Sequence, residues 1–209
     1  LILFCTIRFY DSFQKKYIYL LALFLGLATL IRPTEIVSIL IPILWALPNM
    51  KWSSIRDRFL LFWRHISSLI IASLLFLSIV SLQFIYWKYA SGQFFVYSYG
   101  DQGFNWLAPV VKLYAFNYQS GWLTYTPMML LILPAVPYYI FKGKNRWAIL
   151  TYALITYYIV TAWALWDIGG RAMIQSYPVL MFIIAQLLQD IMKVKFLKYL
   201  SFVFILFGM

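Results

Sequence analysis

Charged side chains are scarce in this chain of 209 residues, and acidic ones are the scarcest of all. They make up 11% of the sequence, with six Asp and Glu against seventeen Lys and Arg, whereas a soluble domain carries about 25% charged residues. Hydrophobic residues make up 64%. Residues 66–86 contain no charge, over a length close to the ~20 residues that cross a bilayer core. This composition excludes an ordinary soluble domain and predicts an all-α, polytopic transmembrane helical bundle.

Metal-binding and disulfide-forming residues are equally few. The chain has one cysteine, Cys5, and one histidine, His65, so neither an internal disulfide nor a four-ligand structural zinc site can form. No cofactor motif is evident, and the residues leave divalent-metal dependence open. His65 has no positioned partner in the sequence, which favours an interfacial polar residue over a catalytic base.

The formal charge of +11 is explained by membrane topology. Nucleic-acid binding needs a basic face on a soluble domain, whereas here the basic residues lie in short connections between apolar segments, so we expect no nucleic-acid partner. Thirteen Lys and Arg fall in one alternating set of connections and four in the other. The positive-inside rule places the thirteen in the cytoplasm. We expect a multi-pass protein of the cell (inner) membrane with spans near residues 17–31, 36–47, 66–86, 122–141, 147–166 and 177–188.

Residues 17–47 predict two helices that meet at Arg32-Pro33. A single helix of this length would be ~46 Å long, too long to cross without strong tilt. The second piece is short and contains Pro42, which predicts a broken or re-entrant helix with an interior turn at residues 32–35. Residues 51–64 mix aromatic and basic side chains at helical spacing and predict an amphipathic helix on anionic lipid.

The charged residues that this topology turns outward are candidates for substrate binding. They combine an acid and a base within each outward connection: Arg32, Glu35, Lys88, Asp101, Lys112, Asp167 and Arg171. A guanidinium group matches phosphate oxygens in two places at once. The alternative for Arg32 and Glu35 is snorkelling to the interface or pairing across one helical turn.

The longest outward stretch, residues 87–121, is rich in aromatic residues. Within it, Tyr99, Asp101 and Gln102 lie between or beside glycines, a mixture that suits a sugar. An aromatic belt at head-group level, with residues 110–116 as an interfacial helix, is the alternative. Farther along, Gly169-Gly170 precede Arg171 and would let the backbone approach a ligand closely, unless they form only a tight loop.

Three segments, residues 26–35, 97–106 and 166–178, resemble the GT-C class of integral-membrane glycosyltransferases. The resemblance is nearest to bacterial relatives of dolichyl-phosphate-mannose protein mannosyltransferases and to lipid A aminoarabinose transferases. It implies a GT-C-like fold and transfer of a sugar, a mannose-like hexose or a related one, from a polyprenyl-phosphate carrier to an extracytoplasmic protein, lipid or glycan. It also implies carrier-phosphate contacts from Arg171 and Arg32, with Glu35, Asp101, Gln102, Asp167 and Tyr99 as further substrate-binding residues.

The principal catalytic acid of such enzymes lies in their first extracytoplasmic loop, and no acidic loop of that kind precedes residues 1–9. We therefore expect residues 1–209 to be one transmembrane domain fragment, truncated at both ends, with the catalytic acid upstream. Two other classes stay open: a polytopic transporter or lipid flippase, and a membrane subunit without catalytic activity.

The sugar-contacting assignment predicts a kinetic effect. Asp101→Asn combined with Gln102→Ala is expected to weaken the apparent affinity for the sugar donor, because both polar contacts to the sugar would be lost. Transfer assays over a range of donor concentrations measure this, and an unchanged affinity contradicts the assignment.

Overall fold

Helices form all the regular structure in the part of the chain that the computed structural model describes, residues 1–96, 103–163 and 168–193. The all-α prediction is therefore confirmed for these residues. The chain divides into two compact units, Leu1–Gln102 and Gly103–Met209. Each unit is described by itself below.

The first unit is built around one pair of packed helices. Its elements are α1 (Ile2–Ser12), α2 (Lys15–Ile31), a 3₁₀ helix (Pro33–Ile39), α3 (Leu40–Leu44), α4 (Trp52–Arg64) and α5 (Ile66–Ser91). α2 packs along α5 more extensively than any other pair of elements, and α1 covers α2. Phe9, Ile18, Ala22 and Ala72 form a buried cluster where these three helices meet.

Gly26 allows α2 and α5 to approach closely. A Cβ atom at this position would lie 3.0 Å from Cδ1 and 3.1 Å from Cβ of Ile79, closer than ordinary packing allows. Small residues have this effect in membrane helix pairs, where association depends on close van der Waals contact. The glycine is therefore part of the α2–α5 interface.

The helix break at Arg32-Pro33 is present as the sequence predicts. α2 ends at Ile31, and Arg32 is extended, with φ −145° and ψ 108°, because the ring of a following proline disfavours the α conformation. Pro33 then begins the 3₁₀ helix, a position where its missing N–H costs nothing. Tyr10 of α1 donates to the carbonyl oxygen of Pro42 at 2.7 Å, so the broken second piece returns toward the end where α1 finishes.

The second unit contains α6 (Val111–Phe116), α7 (Trp122–Tyr125), a 3₁₀ helix (Pro127–Leu131), α8 (Ile132–Lys142), α9 (Arg146–Trp163), a 3₁₀ segment (Ile168–Ser176) interrupted at Gly169-Gly170, and α10 (Tyr177–Ile191). The predicted span 122–141 is not one uninterrupted helix, because the chain leaves the helical conformation at Thr126, between α7 and the helix Pro127–Lys142. Thr126, with φ −126° and ψ 70°, leaves the helical region because Pro127 follows it.

Within each unit, the described parts of the Lys- and Arg-rich connections lie at the same end. In the first unit, the Arg58 guanidinium lies 4.6 Å from the ring centre of Tyr10, which joins α4 to the end of α1. In the second, Gln186 of α10 donates to the carbonyl oxygen of Lys142 at 2.7 Å, and Asp190 of α10 joins Lys193 to the Tyr138 hydroxyl of α8. We call these the basic ends of the units.

Two helical segments, Ile66–Ser91 and Gly169–Ile191, are long and apolar enough to cross a membrane. Only 17% of the most apolar window of Ile66–Ser91 is buried inside the protein, and its exposed side chains include Ile70, Leu74 and Leu77. A soluble protein buries such a helix in its core. Length, composition and this exposure support membrane association, while the other predicted spans stay predictions.

The α2–α5 contact yields a stability prediction. Gly26→Leu is expected to lower the stability of the protein in detergent by about 1–3 kcal/mol, because the new side chain overpacks against Ile79. Thermal unfolding followed by circular dichroism measures the loss. Gly103→Leu is the control, since a Cβ there meets nothing within 4 Å. Equal losses in the two variants would show that Gly26 is not a packing position.

Candidate functional site

The predicted site residues Arg32 and Glu35 lie at the helix break of the first unit. Glu35 is 9% exposed, and its carboxylate accepts a hydrogen bond from the Ser38 hydroxyl at 3.3 Å. Its backbone N–H donates to the carbonyl oxygen of Arg32 at 2.9 Å. Arg32 is half-buried, and its positive charge acts on the Glu35 carboxylate. A carboxylate so far from water needs such a partner.

Two polar residues at this break were missed by the sequence reasoning. Ser38 supports Glu35, and its signal was the spacing of three residues along the same short helix. Thr29 lies one turn before Arg32, and its hydroxyl is buried with no hydrogen-bond partner among the described residues. The break therefore holds several polar groups in mostly apolar surroundings.

Arg171 lies in the second unit, directly after a closed glycine loop. Gly169 and Gly170 have φ values of 65° and 68°, the left-handed conformation that glycine adopts without steric cost. The Gly169 N–H donates to the carbonyl oxygen of Ser120 at 3.2 Å. Arg171 follows with an exposed side chain. The loop thus holds the backbone of Arg171 at a defined place on the surface of the unit.

Gly170 makes room for a tryptophan of the protein itself. A Cβ at Gly170 would lie 2.2 Å from Cδ1 of Trp122, a side chain that is buried. The indole N–H of Trp122 in turn donates to the Tyr177 hydroxyl at 3.0 Å, at the start of α10. The absence of a side chain at Gly170 therefore accommodates Trp122, as the tight-loop explanation requires.

The described part of the aromatic stretch packs against the end of α9. Phe104 and Trp106 are stacked with ring centres 4.6 Å apart, and Phe104 also meets Trp163 edge-on at 4.5 Å. The Asn105 N–H donates to the carbonyl oxygen of Ala162 at 2.7 Å. These contacts attach the loop to the C-terminal end of α9.

Tyr157 of α9 links this aromatic loop to the glycine loop. Its ring lies 5.8 Å from the Trp122 ring, centre to centre, and its hydroxyl donates to the carbonyl oxygen of Val111 at 2.8 Å. Trp122 is the residue that fills the space above Gly170. Two of the three predicted outward connections therefore meet at one end of the second unit, which we call the aromatic end.

The remaining site predictions divide into two groups. Tyr99, Asp101, Gln102 and Asp167 lie outside the described residues. Arg32 and Glu35 belong to the first unit and Arg171 to the second. Across residues 1–96, 103–163 and 168–193, no group of three or more His, Cys, Asp or Glu side chains is placed to hold a metal ion.

His65 occupies a structural position between α4 and α5. Its Nδ1 lies 3.0 Å from the carbonyl oxygen of Leu61, and its ring meets Phe9 edge-on at 5.6 Å. These contacts agree with its interpretation as an interfacial polar residue.

Comparison with known proteins identifies no relative: the chain matches no protein-family model, no curated protein and no solved structure.

The fit between Gly170 and Trp122 can be tested with a matched pair of variants. Gly169→Ala and Gly170→Ala both impose a left-handed conformation on alanine, at about 1–2 kcal/mol each. Only Gly170→Ala also collides with a buried ring, so it is expected to cost about 1–3 kcal/mol more. Thermal unfolding in detergent measures the difference. Equal stabilities of the two variants would contradict this account of the loop.

Proposed function

We propose that this chain is part of a polytopic, GT-C-like membrane glycosyltransferase. It takes a mannose-like hexose or a related sugar from a polyprenyl-phosphate carrier and delivers it to an extracytoplasmic protein, lipid or glycan. The observation that carries the proposal is the position of Arg171, which directly follows the closed glycine loop at the aromatic end of the second unit. Its side chain supplies a phosphate-binding group beside aromatic surface.

The aromatic end offers surface that suits a lipid-linked sugar. Trp106 and Leu107, in the loop attached to α9, and Tyr118, which follows α6, are large exposed side chains of the second unit. Aromatic faces accommodate the apolar faces of a sugar ring or a prenyl chain, while their polar edges donate and accept hydrogen bonds. Together with a guanidinium group, such a surface can hold both ends of a sugar phosphate.

Arg32 is our second candidate for the carrier phosphate. Glu35 beside it is buried and bonded to Ser38, so we assign Glu35 to positioning Arg32 rather than to direct contact with substrate. The carboxylate offsets the charge of Arg32 and restrains its orientation. In this way the helix break would present a preorganised cation.

The mechanism that fits these groups is an inverting displacement. A carboxylate removes the proton of the acceptor hydroxyl, whose oxygen forms a bond to the anomeric carbon as the bond to the carrier phosphate oxygen breaks. The bonding electrons leave with the phosphate, and Arg171 stabilises its negative charge. We assign the carboxylate to none of the described residues.

A transporter or lipid flippase is the second candidate, and one structural feature favours it. Each unit contains an apolar helix that begins with proline and changes from 3₁₀ to α conformation: Pro33–Leu44 and Pro127–Lys142. Proline-interrupted helices in both halves of a membrane protein are typical of transporters, whose binding sites they form.

The test of the proposed function is sugar transfer in vesicles. The complete protein would be reconstituted and supplied with a panel of radiolabelled polyprenyl-phosphate sugars. Arg171→Ala is expected to lower the transfer rate about 10²-fold or more, the usual effect of removing a group that stabilises developing negative charge. Arg171→Lys is expected to recover part of it, because the charge remains without the bidentate fork.

Arg146→Ala is the matched control, since Arg146 lies at the basic end of the same unit and donates to the carbonyl oxygen of Ile140. At equal abundance in the membrane, this variant is expected to transfer sugar at the wild-type rate. Normal transfer by Arg171→Ala would overturn the assignment of Arg171. Absence of transfer by the wild type from every donor, with measurable movement of a labelled lipid or solute, would favour the transporter.

A further inference from the structure

One side of helix α4 packs against the protein. No described residue covers the opposite side. Arg58, Leu61 and His65, at helical spacing, lie on the inner side and are at least partly buried. The opposite side carries Trp52 and Trp63, which are 77% and 63% exposed. No residue of this helix is fully buried, so its outer face is available for a partner.

Arg58 holds α4 in place. Its guanidinium group donates to the carbonyl oxygen of Trp45, at the end of α3, and lies over the ring of Tyr10. Burial raises the pKa of the Tyr10 phenol to about 12, and the charge of Arg58 opposes this rise. The hydroxyl therefore stays protonated and donates to Pro42. The Arg58 side chain therefore contacts other parts of the protein and attaches α4 to them.

The other two arginines of α4 belong to the outer face. Trp52, Arg56, Phe59 and Trp63 form one stripe at helical spacing, and Arg64 lies on the adjacent stripe. Arg56 is 3.9 Å from Asp57, but both side chains are well exposed, at 65% and 70%, and such a pair binds weakly. This face therefore carries both large aromatic rings and accessible guanidinium groups.

The surroundings of α4 add further positive charge. The C-terminal half of α1 and the first turn of α2 lie at the same end of the unit, and their exposed basic residues are Arg8, Lys15 and Lys16. The acidic residues at this end are Asp11, in residues 8–16, and Asp57, in α4. The charge of this end is therefore strongly positive, which complements a surface of anionic head groups.

We propose that the outer face of α4 binds anionic lipid head groups, with Trp52, Phe59 and Trp63 inserted at the head-group boundary and Arg56 and Arg64 contacting phosphate. An amphipathic helix with this arrangement lies in the plane of the membrane surface. Only His65 separates the end of α4 from the start of α5, the apolar helix long enough to cross a membrane, which brings α4 to the bilayer. The proposal does not depend on the transferase activity.

The experiment uses the complete protein in phosphatidylcholine vesicles that contain either brominated phosphatidylglycerol or brominated phosphatidylcholine. Bromine near the head-group end of the acyl chain quenches nearby tryptophans. The signal of a Trp52→Phe, Trp63→Phe variant is subtracted, so that the difference reports on these two residues. For the wild type we expect a several-fold preference for phosphatidylglycerol, which weakens as salt is added.

Variants then test the two arginines. Arg56→Gln with Arg64→Gln is expected to remove most of this several-fold preference, because the two basic residues that contact the anionic surface are lost. Arg56→Lys with Arg64→Lys is expected to retain most of it. Lys88→Gln with Lys112→Gln removes the same charge outside this face and is expected to leave the preference unchanged.

Three results would overturn the proposal. The first is an unchanged preference in the double glutamine variant, and the second is the absence of quenching of Trp52 and Trp63 by either lipid. The third is binding of a fluorescent acidic polymer through the same arginines at physiological salt, without any preference among lipids. That last outcome would assign the face to a soluble acidic partner.

Discussion

The cost of removing charge from water is the constraint on which the rest of this structure depends. A charged group in apolar surroundings needs a counter-charge or hydrogen bonds, so most Lys and Arg lie at helix ends and in connections. Because of this cost, a charged side chain that is nevertheless buried is informative. Glu35 is buried, but it accepts a hydrogen bond from Ser38 and lies within the influence of Arg32.

Proline adds a second, purely local constraint. Arg32 and Thr126 both leave the helical conformation because a proline follows them. Each break ends an α-helix and starts a 3₁₀ helix in its place. In membrane proteins such breaks occur where protein or water can satisfy the freed backbone groups. Thr29, Glu35 and Ser38 supply polar side chains of this kind at the Arg32 break.

Arginines of the same type have different roles because their surroundings differ. Arg58 bonds to a carbonyl oxygen and lies over an aromatic ring, so it contributes to the attachment of a helix. Arg56 and Arg171 are exposed, and each lies on an element that the rest of its unit holds in place. Charge alone would give all three the same expected function.

The sequence by itself determined the features that follow from local rules. Apolar length predicts the helices, proline predicts the break at Arg32, and helical spacing of aromatic and basic residues predicts α4. Tertiary structure alone decided that Gly170 accommodates Trp122, that Phe104 and Asn105 attach to α9, and that Arg58 faces inward. Each of these contacts joins residues well separated along the chain, and neither propensity nor periodicity specifies which distant surfaces will meet.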